Sequence, residues 1–228
     1  MTELTVIFLT TNDVPKKWAE FHKKTLLAAV GKNKLITISN KALDFGNMNL
    51  IQKEPRSRSN VYRQLLRGAK HAKTEFIAVA EDDVLYPKEH FDFRPPCDNF
   101  FYNNCHWSLF TWNKPVYHWN DRMGNYSLVA SRNLVIKTLE KIFRKFPGGI
   151  PEEKTGELGR AQTIRSQGIR QKLANKFYTT VPLVVFHHDR GFDELAKRKR
   201  KRMGLLRAYD IPYWGPASKL VKKWGWAH

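Results

Sequence analysis

Phe76-Ile77-Ala78-Val79-Ala80-Glu81-Asp82-Asp83-Val84-Leu85-Tyr86-Pro87 is the stretch whose reading decides the fold. Its first five residues are small or apolar, with β-branched members, and read as a strand buried on both faces. That strand runs straight into three consecutive carboxylates. Folding alone gives no reason for three acids there, because desolvating charge is costly unless something compensates. A divalent metal is the natural compensation, and hard oxygen ligands suit Mg²⁺ or Mn²⁺. In open α/β sheets, ligands bind in the crevice beyond the carboxyl ends of the strands, which is where these acids fall. The competing reading is a solvated acidic turn that caps the next element.

The rest of the chain gives that strand a setting. Its 228 residues are 42% hydrophobic, enough for one sizeable core. Forty Lys and Arg against 21 Asp and Glu leave a formal charge of +19, with a pI near 10.0. Such a surface favours phosphate-rich polymers or anionic membrane faces, and it also attracts small anionic substrates. No apolar run approaches the ~20 residues of a spanning helix. Met1 to Thr5 lacks the basic-then-apolar pattern of a signal peptide. Cys97 and Cys105 are the only cysteines and match no zinc spacing, so a reduced, cytoplasmic protein is expected.

Thr5 to Thr10 is a short β-prone run, and Pro15 suits the first position of a helix starting near Val14. That helix carries Trp18, Phe21, Leu26 and Ala29 and ends near Gly31. Strands follow at Leu35 to Ile38 and, more weakly marked, at Asn47 to Lys53. Ser59 or Asn60 caps a helix through Val61, Leu65, Leu66 and Ala69, which leads to the Phe76 strand. This alternation predicts an α/β fold with a mostly parallel central sheet covered by helices on both faces. No glycine-rich dinucleotide fingerprint or phosphate-binding loop appears.

Between Pro95 and Trp119 the chain turns aromatic, mainly for the core, with a minority expected to face the cleft. A strand at Asn125 to Val129 precedes a helix from Arg132 to about Phe146. A further helix is expected from Gly156 to about Arg165, ending at Gly168, and a last β-rich run from Tyr178 to Phe186 closes in His187-His188-Asp189. After Gly191 the composition changes: Lys197-Arg198-Lys199-Arg200-Lys201-Arg202 is six consecutive bases, followed by a segment with Trp214, Trp224 and Trp226. The division expected is a catalytic domain over 1–190 and a basic extension over 191–228 that packs on the site or closes over it.

These residues resemble the nucleotide-sugar glycosyltransferases of the GT-A fold, especially the large family 2 group, over Thr5 to about Asp189. The resemblance rests on the order and spacing of short motifs. It implies a three-layer α/β sandwich, a nucleotide sugar (a UDP-sugar) as donor, and Mn²⁺ or Mg²⁺ as cofactor. Thr10, Thr11 and Asn12 take the place of the loop that holds the nucleotide base. Glu81-Asp82-Asp83 take the place of the Asp-x-Asp motif, with Glu departing from the usual first acid. Asp83 is then the leading metal ligand, with Glu81, His187 and His188 as further ones. Glu81 and Asp82 also serve the sugar and ribose, and Arg58 faces phosphate or stands in a solvated loop. Gly148-Gly149, Glu157, Arg165 and Gly168 follow the spacing of the family's loop and base-bearing helix. Glu157 becomes the base, with Glu153 second and Glu152 nearby; the second acid of the usual pair is absent, and a one-residue slip leaves Leu158 in that place.

The chemistry needs these residue types. A departing diphosphate requires positive charge, and a weakly nucleophilic hydroxyl requires a base. Charge then directs the choice of acceptor. A nucleotide sugar does not need +19, whereas double-stranded DNA rewards it through counterion release. The expected acceptor is therefore a hydroxymethylated DNA base flipped into the cleft, with Lys197–Arg202 on the phosphates. Enzymes of this kind are encoded by bacterial viruses, which suggests a bacteriophage source and host cytoplasm. Two alternatives stand beside it: the same enzyme acting on a cell-surface glycan or lipid-linked sugar, and a nucleic-acid-binding protein or metal nuclease. Oligomeric state is unreadable from the sequence.

Overall fold

The strand that carries the acids lies in the middle of the molecule. In the computed structural model, which describes residues 3–188 and 204–225, a seven-stranded sheet runs in the order β10-β6-β9-β4-β1-β2-β3. Here β1 is Leu4–Thr10, β2 Lys34–Ser39, β3 Met48–Ile51, β4 Phe76–Glu81, β6 Phe100–Asn103, β9 Leu128–Ser131 and β10 Ala174–Phe177. β1, β2, β3 and β4 are mutually parallel, β10 is parallel to β6, and only β9 runs antiparallel to its neighbours. The fold is thus the expected mixed α/β sandwich on a mostly parallel sheet.

Alternation along the central strands feeds two cores. Ile7 and Leu9 of β1 and Ile77 and Val79 of β4 face α2 (Arg58–His71) and α4 (Arg132–Lys145). Val6 and Phe8, with Ala78 and Ala80, face α1 (Lys16–Val30). Both faces being covered explains why the strands read as unbroken apolar runs. A second sheet, ordered β12-β8-β7-β11-β5, stands beside the first. Its members are β5 Val84–Leu85, β7 His106–Phe110, β8 Tyr117–Trp119, β11 Leu183–His187 and β12 Arg207–Ala208. A third core joins Trp18 and Phe186 to Ile211, Leu220 and Trp224, the last two on α6 (Ala217–Trp224), so the described part of the C-terminal region shares this core. The run Lys197–Arg202 lies outside the described residues.

Several boundaries differ from the sequence reading. α1 begins at Lys16, with Pro15 as its flanking residue, and α2 is capped by Ser57, whose side chain accepts from the Asn60 backbone N–H. Asn125–Ser127 is a 3₁₀ turn, and the strand follows it. The helix expected from Gly156 starts instead at Ala161. Its delay has a local cause: Gly159 takes φ +78°, and a Cβ there would lie 2.6 Å from the Phe100 ring and 2.7 Å from the Lys172 carbonyl. The chain turns before it coils. Of the last β-rich run, expected from Tyr178 to Phe186, only β11 from Leu183 onward forms; it follows Pro182, which has no N–H for a ladder, while β10 lies just before the run in the other sheet. The aromatic run is mostly core, as expected, but its rings do not line the cleft described below.

α2 sits unusually close to the sheet. A Cβ on Gly68 would lie 2.7 Å from Ile7 Cγ2 and 3.2 Å from Ile38 Cδ1. Alanine in a helix interior normally gains about 1 kcal/mol over glycine. At this position overpacking against β1 and β2 outweighs that gain, so Gly68→Ala should destabilise the protein by about 1–3 kcal/mol in urea unfolding. A neutral or stabilising result would mean that the helix can lift from the sheet without cost.

Candidate functional site

The turn after β4 is held group by group. The Glu81 backbone N–H donates to Tyr86 Oη at 2.9 Å, and Tyr86 Oη donates on to the Tyr126 carbonyl. Trp18 Nε1 of α1 donates to the Asp82 carbonyl at 2.7 Å, and the Phe186 N–H of β11 donates to the Asp83 carbonyl at 2.8 Å. His22 Nε2, one turn along α1 from Trp18, binds the Val84 carbonyl at 2.8 Å. Burial lowers the His22 pKa to about 4, which keeps this imidazole neutral and its N–H available to the carbonyl. With the backbone fixed from both sides, the three carboxyl groups project into a cleft of about 840 Å³ beyond the ends of β1 and β4.

The acids are electrostatically strained together. Burial, then the Asp83 and Asp82 charges, push the Glu81 carboxyl well above the usual carboxylate range. Burial and the Asp83 charge raise Asp82 to about 7, although the Thr10 hydroxyl donates to its Oδ2 and opposes the rise. Asp83 Oδ2 stands 3.5 Å from His188 Nε2, and its Oδ1 is buried with no hydrogen-bond partner. Among the described residues, no group of three or more His, Cys, Asp or Glu is arranged to hold a metal. Mg²⁺-like ions, however, are commonly held by one or two protein groups plus phosphate oxygens and water. Asp83 with its orphaned oxygen and the adjacent His188 fit that mode. His187 borders the cleft, but its Nε2 meets Ser108 Oγ at 3.0 Å and its ring stacks on Phe110.

Glu157 borders the same cleft on a loop between the 3₁₀ turn Glu152–Lys154 and α5 (Ala161–Gln167). Its side chain is 18% exposed and pairs with Arg160 at 2.9 Å. The carbonyls on either side of it are taken by buried tyrosines: Tyr62 Oη donates to Gly156 O at 2.5 Å and Tyr102 Oη to Leu158 O at 2.9 Å. Glu153 also lines the cleft, while Glu152 forms an ion pair with Arg58 at 3.0 Å.

Thr10, Thr11 and Arg58 line the cleft, as do Glu81, Asp82, Asp83, His187 and His188. Asn12 does not. It takes the left-handed conformation, φ 61°, its N–H donates to Thr10 Oγ1, and its Oδ1 accepts from the Lys41 N–H, so it shapes the loop beside the cleft. Sequence reasoning missed Tyr62, Asn125 and a polar array on the far wall. There Asp121 accepts from Asn104 Nδ2 at 2.6 Å and pairs with Lys176 at 3.1 Å. The hydrogen bond from Asn104, then that from Lys176, hold its pKa below the usual value. An isolated Asp121-Arg122 in a loop carried no signal of this.

No protein-family model and no curated protein matches the chain. Among solved structures, the bifunctional IspDF of Campylobacter jejuni aligns with 78% of this chain and 49% of its own at 12% identity, TM-score 0.42. A mannosyltransferase from Pyrobaculum calidifontis, solved with GDP-Man and Mn²⁺, aligns over 84% and 59% at 14% identity, TM-score 0.44. A mutant Drosophila β-1,4-galactosyltransferase 7 with manganese, UDP-Gal and xylobiose aligns over 88% and 79% at 13% identity, TM-score 0.44. This chain thus spans about half of the first protein and three fifths of the second. At these scores the likenesses carry no argument about chemistry, which must come from the cleft itself.

The raised Asp82 pKa has a definite sign. An acid with a raised folded pKa binds more protons folded than unfolded between about pH 4 and 7, so its contribution is present at low pH and lost as pH rises through that window. Buried His22, His90 and His106, with lowered pKa values, act in the opposite sense below about pH 6.5, and comparison with a variant cancels them. In chelator, the stability of Asp82→Asn relative to the parent should rise by roughly 2–3 kcal/mol between pH 5 and pH 8. A difference that does not change with pH would remove the buried-charge assignment.

Proposed function

We propose that the cleft binds a nucleoside-diphosphate sugar across the ends of β1 and β4 and transfers its glycosyl group to an acceptor hydroxyl. The observation that carries this reading is one cleft holding a fixed turn of three carboxylates, with Asp83 Oδ1 unpartnered, and a separately fixed Glu157. Glu157 takes the proton as the acceptor oxygen attacks the anomeric carbon. The bond from that carbon to the diphosphate oxygen breaks, and its electron pair leaves with the diphosphate. Thr10 and Thr11 flank the nucleotide, Arg58 faces its phosphates, and Glu81 and Asp82 contact ribose or sugar hydroxyls. Asp83 and His188 would hold a divalent ion, which when bound offsets the charge of the departing diphosphate. With Glu157 as a base on the acceptor hydroxyl, the transfer is a single displacement that inverts the anomeric centre.

The acceptor reading divides. A charge of +19 and the run Lys197–Arg202 support double-stranded DNA carrying a hydroxymethylated base. The described cleft lining supports a hydroxyl-rich glycan or lipid-linked sugar instead. It carries seven carboxylates against five Lys or Arg side chains. Four of those five bases lie beside acids, at 2.9–3.8 Å. The basic excess is not gathered there.

Nucleotide release from a panel of UDP- and GDP-sugars with Mn²⁺ tests the core of the proposal. Glu157→Gln should lower turnover by ~10²–10⁴-fold with little change in donor affinity, the range for a lost general base. Asp83→Ala, or excess chelator, should abolish turnover while the protein stays folded. Full activity in chelator, or no release from any donor, would reject it.

The acceptor is decided with labelled donor on hydroxymethylated duplex, plain duplex and lipid-linked or free glycans. The DNA reading expects label on the hydroxymethylated duplex only, and binding that falls with log[salt] by about 0.9 per phosphate neutralised. Replacing Arg198, Arg200 and Arg202 with Glu should weaken every duplex alike. Labelled glycan and unlabelled DNA would give the cleft to the second acceptor class.

A further inference from the structure

Helix α2 stitches the loop that carries Glu157 to the rest of the molecule. Ser59 Oγ accepts from the Ile150 N–H at 2.9 Å, Arg58 pairs with Glu152, and Tyr62, one turn further along, donates to Gly156 O. Tyr62 is buried, and its oxygen also accepts from Asn125 Nδ2 at 2.8 Å. A phenol has one proton. Here that proton is committed to the Gly156 carbonyl, because Asn125 can only donate through its nitrogen. The hydrogen-bond chain therefore runs Asn125 to Tyr62 to Gly156, with a fixed direction that ends one peptide before Glu157. Burial raises the Tyr62 pKa far above the ordinary phenol value, and the charges of Glu157 and Glu81 add to the rise. Its one proton is used on the Gly156 carbonyl, and the hydroxyl lies within electrostatic reach of both carboxylates.

We infer that Tyr62 is the positioning residue for Glu157, setting the distance between that carboxylate and the acidic turn after β4 through its hydrogen bond to Gly156 O. The inference rests on the reading of Glu157 as the base. Tyr102 holds the other flank at Leu158 O, so the peptide groups on both sides of Glu157 are tethered while its side chain stays in the cleft. The two tethers differ in what they connect. Tyr102 belongs to β6 and fixes the loop to the sheet. Tyr62 belongs to α2, whose first residue Arg58 faces the cleft, so it ties the base to the same helix that borders the donor. A misplacement of about 1 Å in such a group commonly costs on the order of 10²-fold in rate.

Tyr62→Phe keeps the ring and removes the tether together with the acceptor of Asn125 Nδ2. Turnover on the best nucleotide sugar with Mn²⁺ should fall by roughly 10–100-fold, with donor KM within about twofold of the parent. Amide hydrogen exchange over residues 153–160 should accelerate by about tenfold, with other protected segments unchanged, since the loop opens locally. Tyr102→Phe serves as the second variant should Tyr62→Phe fail to fold, and it should loosen the same segment and slow turnover in the same way. Faster exchange with unchanged turnover would make the tether merely structural and overturn the inference. A loss expressed in donor KM alone would also overturn it, by assigning Tyr62 to donor binding. Glu157→Gln is run in parallel. If that variant is inactive while Tyr62→Phe behaves as the parent, only the positioning role fails. If Glu157→Gln retains full turnover, the reading of Glu157 as base fails, and the positioning role falls with it.

Discussion

The constraint on which the structure depends is the fixing of four consecutive residues, Glu81 to Val84, by groups from outside the turn. Trp18 and His22 of α1, the Phe186 N–H of β11 and the Tyr86 hydroxyl each take one backbone group. Three carboxylates close together repel one another and resist leaving water. Left mobile, such a turn would swing its side chains into solvent. Held at every peptide, it keeps them beyond the strand end and waits for a cation or for donors on a ligand. The electrostatic stress is therefore retained at the place where ligand charge can relieve it, a pattern associated with functional sites.

The sheet provides the geometry for this. β1 and β4 are parallel neighbours in register, Leu9 opposite Glu81, so Thr10 and Asp82 end side by side and their side chains meet. The reversed strand β9 lies on the other side of β4, and the residues just before it, Asn125 and Tyr126, border the cleft and bond to Tyr62 and Tyr86. α2 has two roles on different sides. Gly68 lets it press on Ile7 and Ile38, and its N-terminal turns hold the Glu157 loop. Rigidity in the sheet is passed to the loop through that helix and directly through Tyr102 of β6.

What the sequence made legible follows from how local each signal is. The buried strand and its acids, the α4 boundaries at Arg132 and near Lys145, and the parallel alternation all depend on a few neighbouring residues, and they were read directly. The start of α5 was misplaced because Gly159 is held in its turn by Phe100 and Lys172, neither of which a pattern in the 150s reveals. The late start of β11 at Leu183, in a second sheet, is not announced by the apolar run from Tyr178 to Phe186. The roles of Tyr62, Tyr102 and the Asp121–Lys176 array depend on contacts between segments far apart in sequence. Candidate carboxylates were visible as residue types; what holds them in place was not.

Trp18 has a second consequence. Its indole N–H supports Asp82, while its ring lies 4.3 Å from Phe186 and 4.8 Å from Trp224, which also meets the His188 ring at 4.9 Å. During synthesis residue 82 leaves the ribosome long before residue 224. The nascent chain can pair β1, β2 and β4 early, since all three are N-terminal. It cannot back the indole that braces Asp82, or seat His188, until α6 has emerged and docked. A translation product halted before α6 would present a finished sheet with Trp18 and His188 lacking the Trp224 ring.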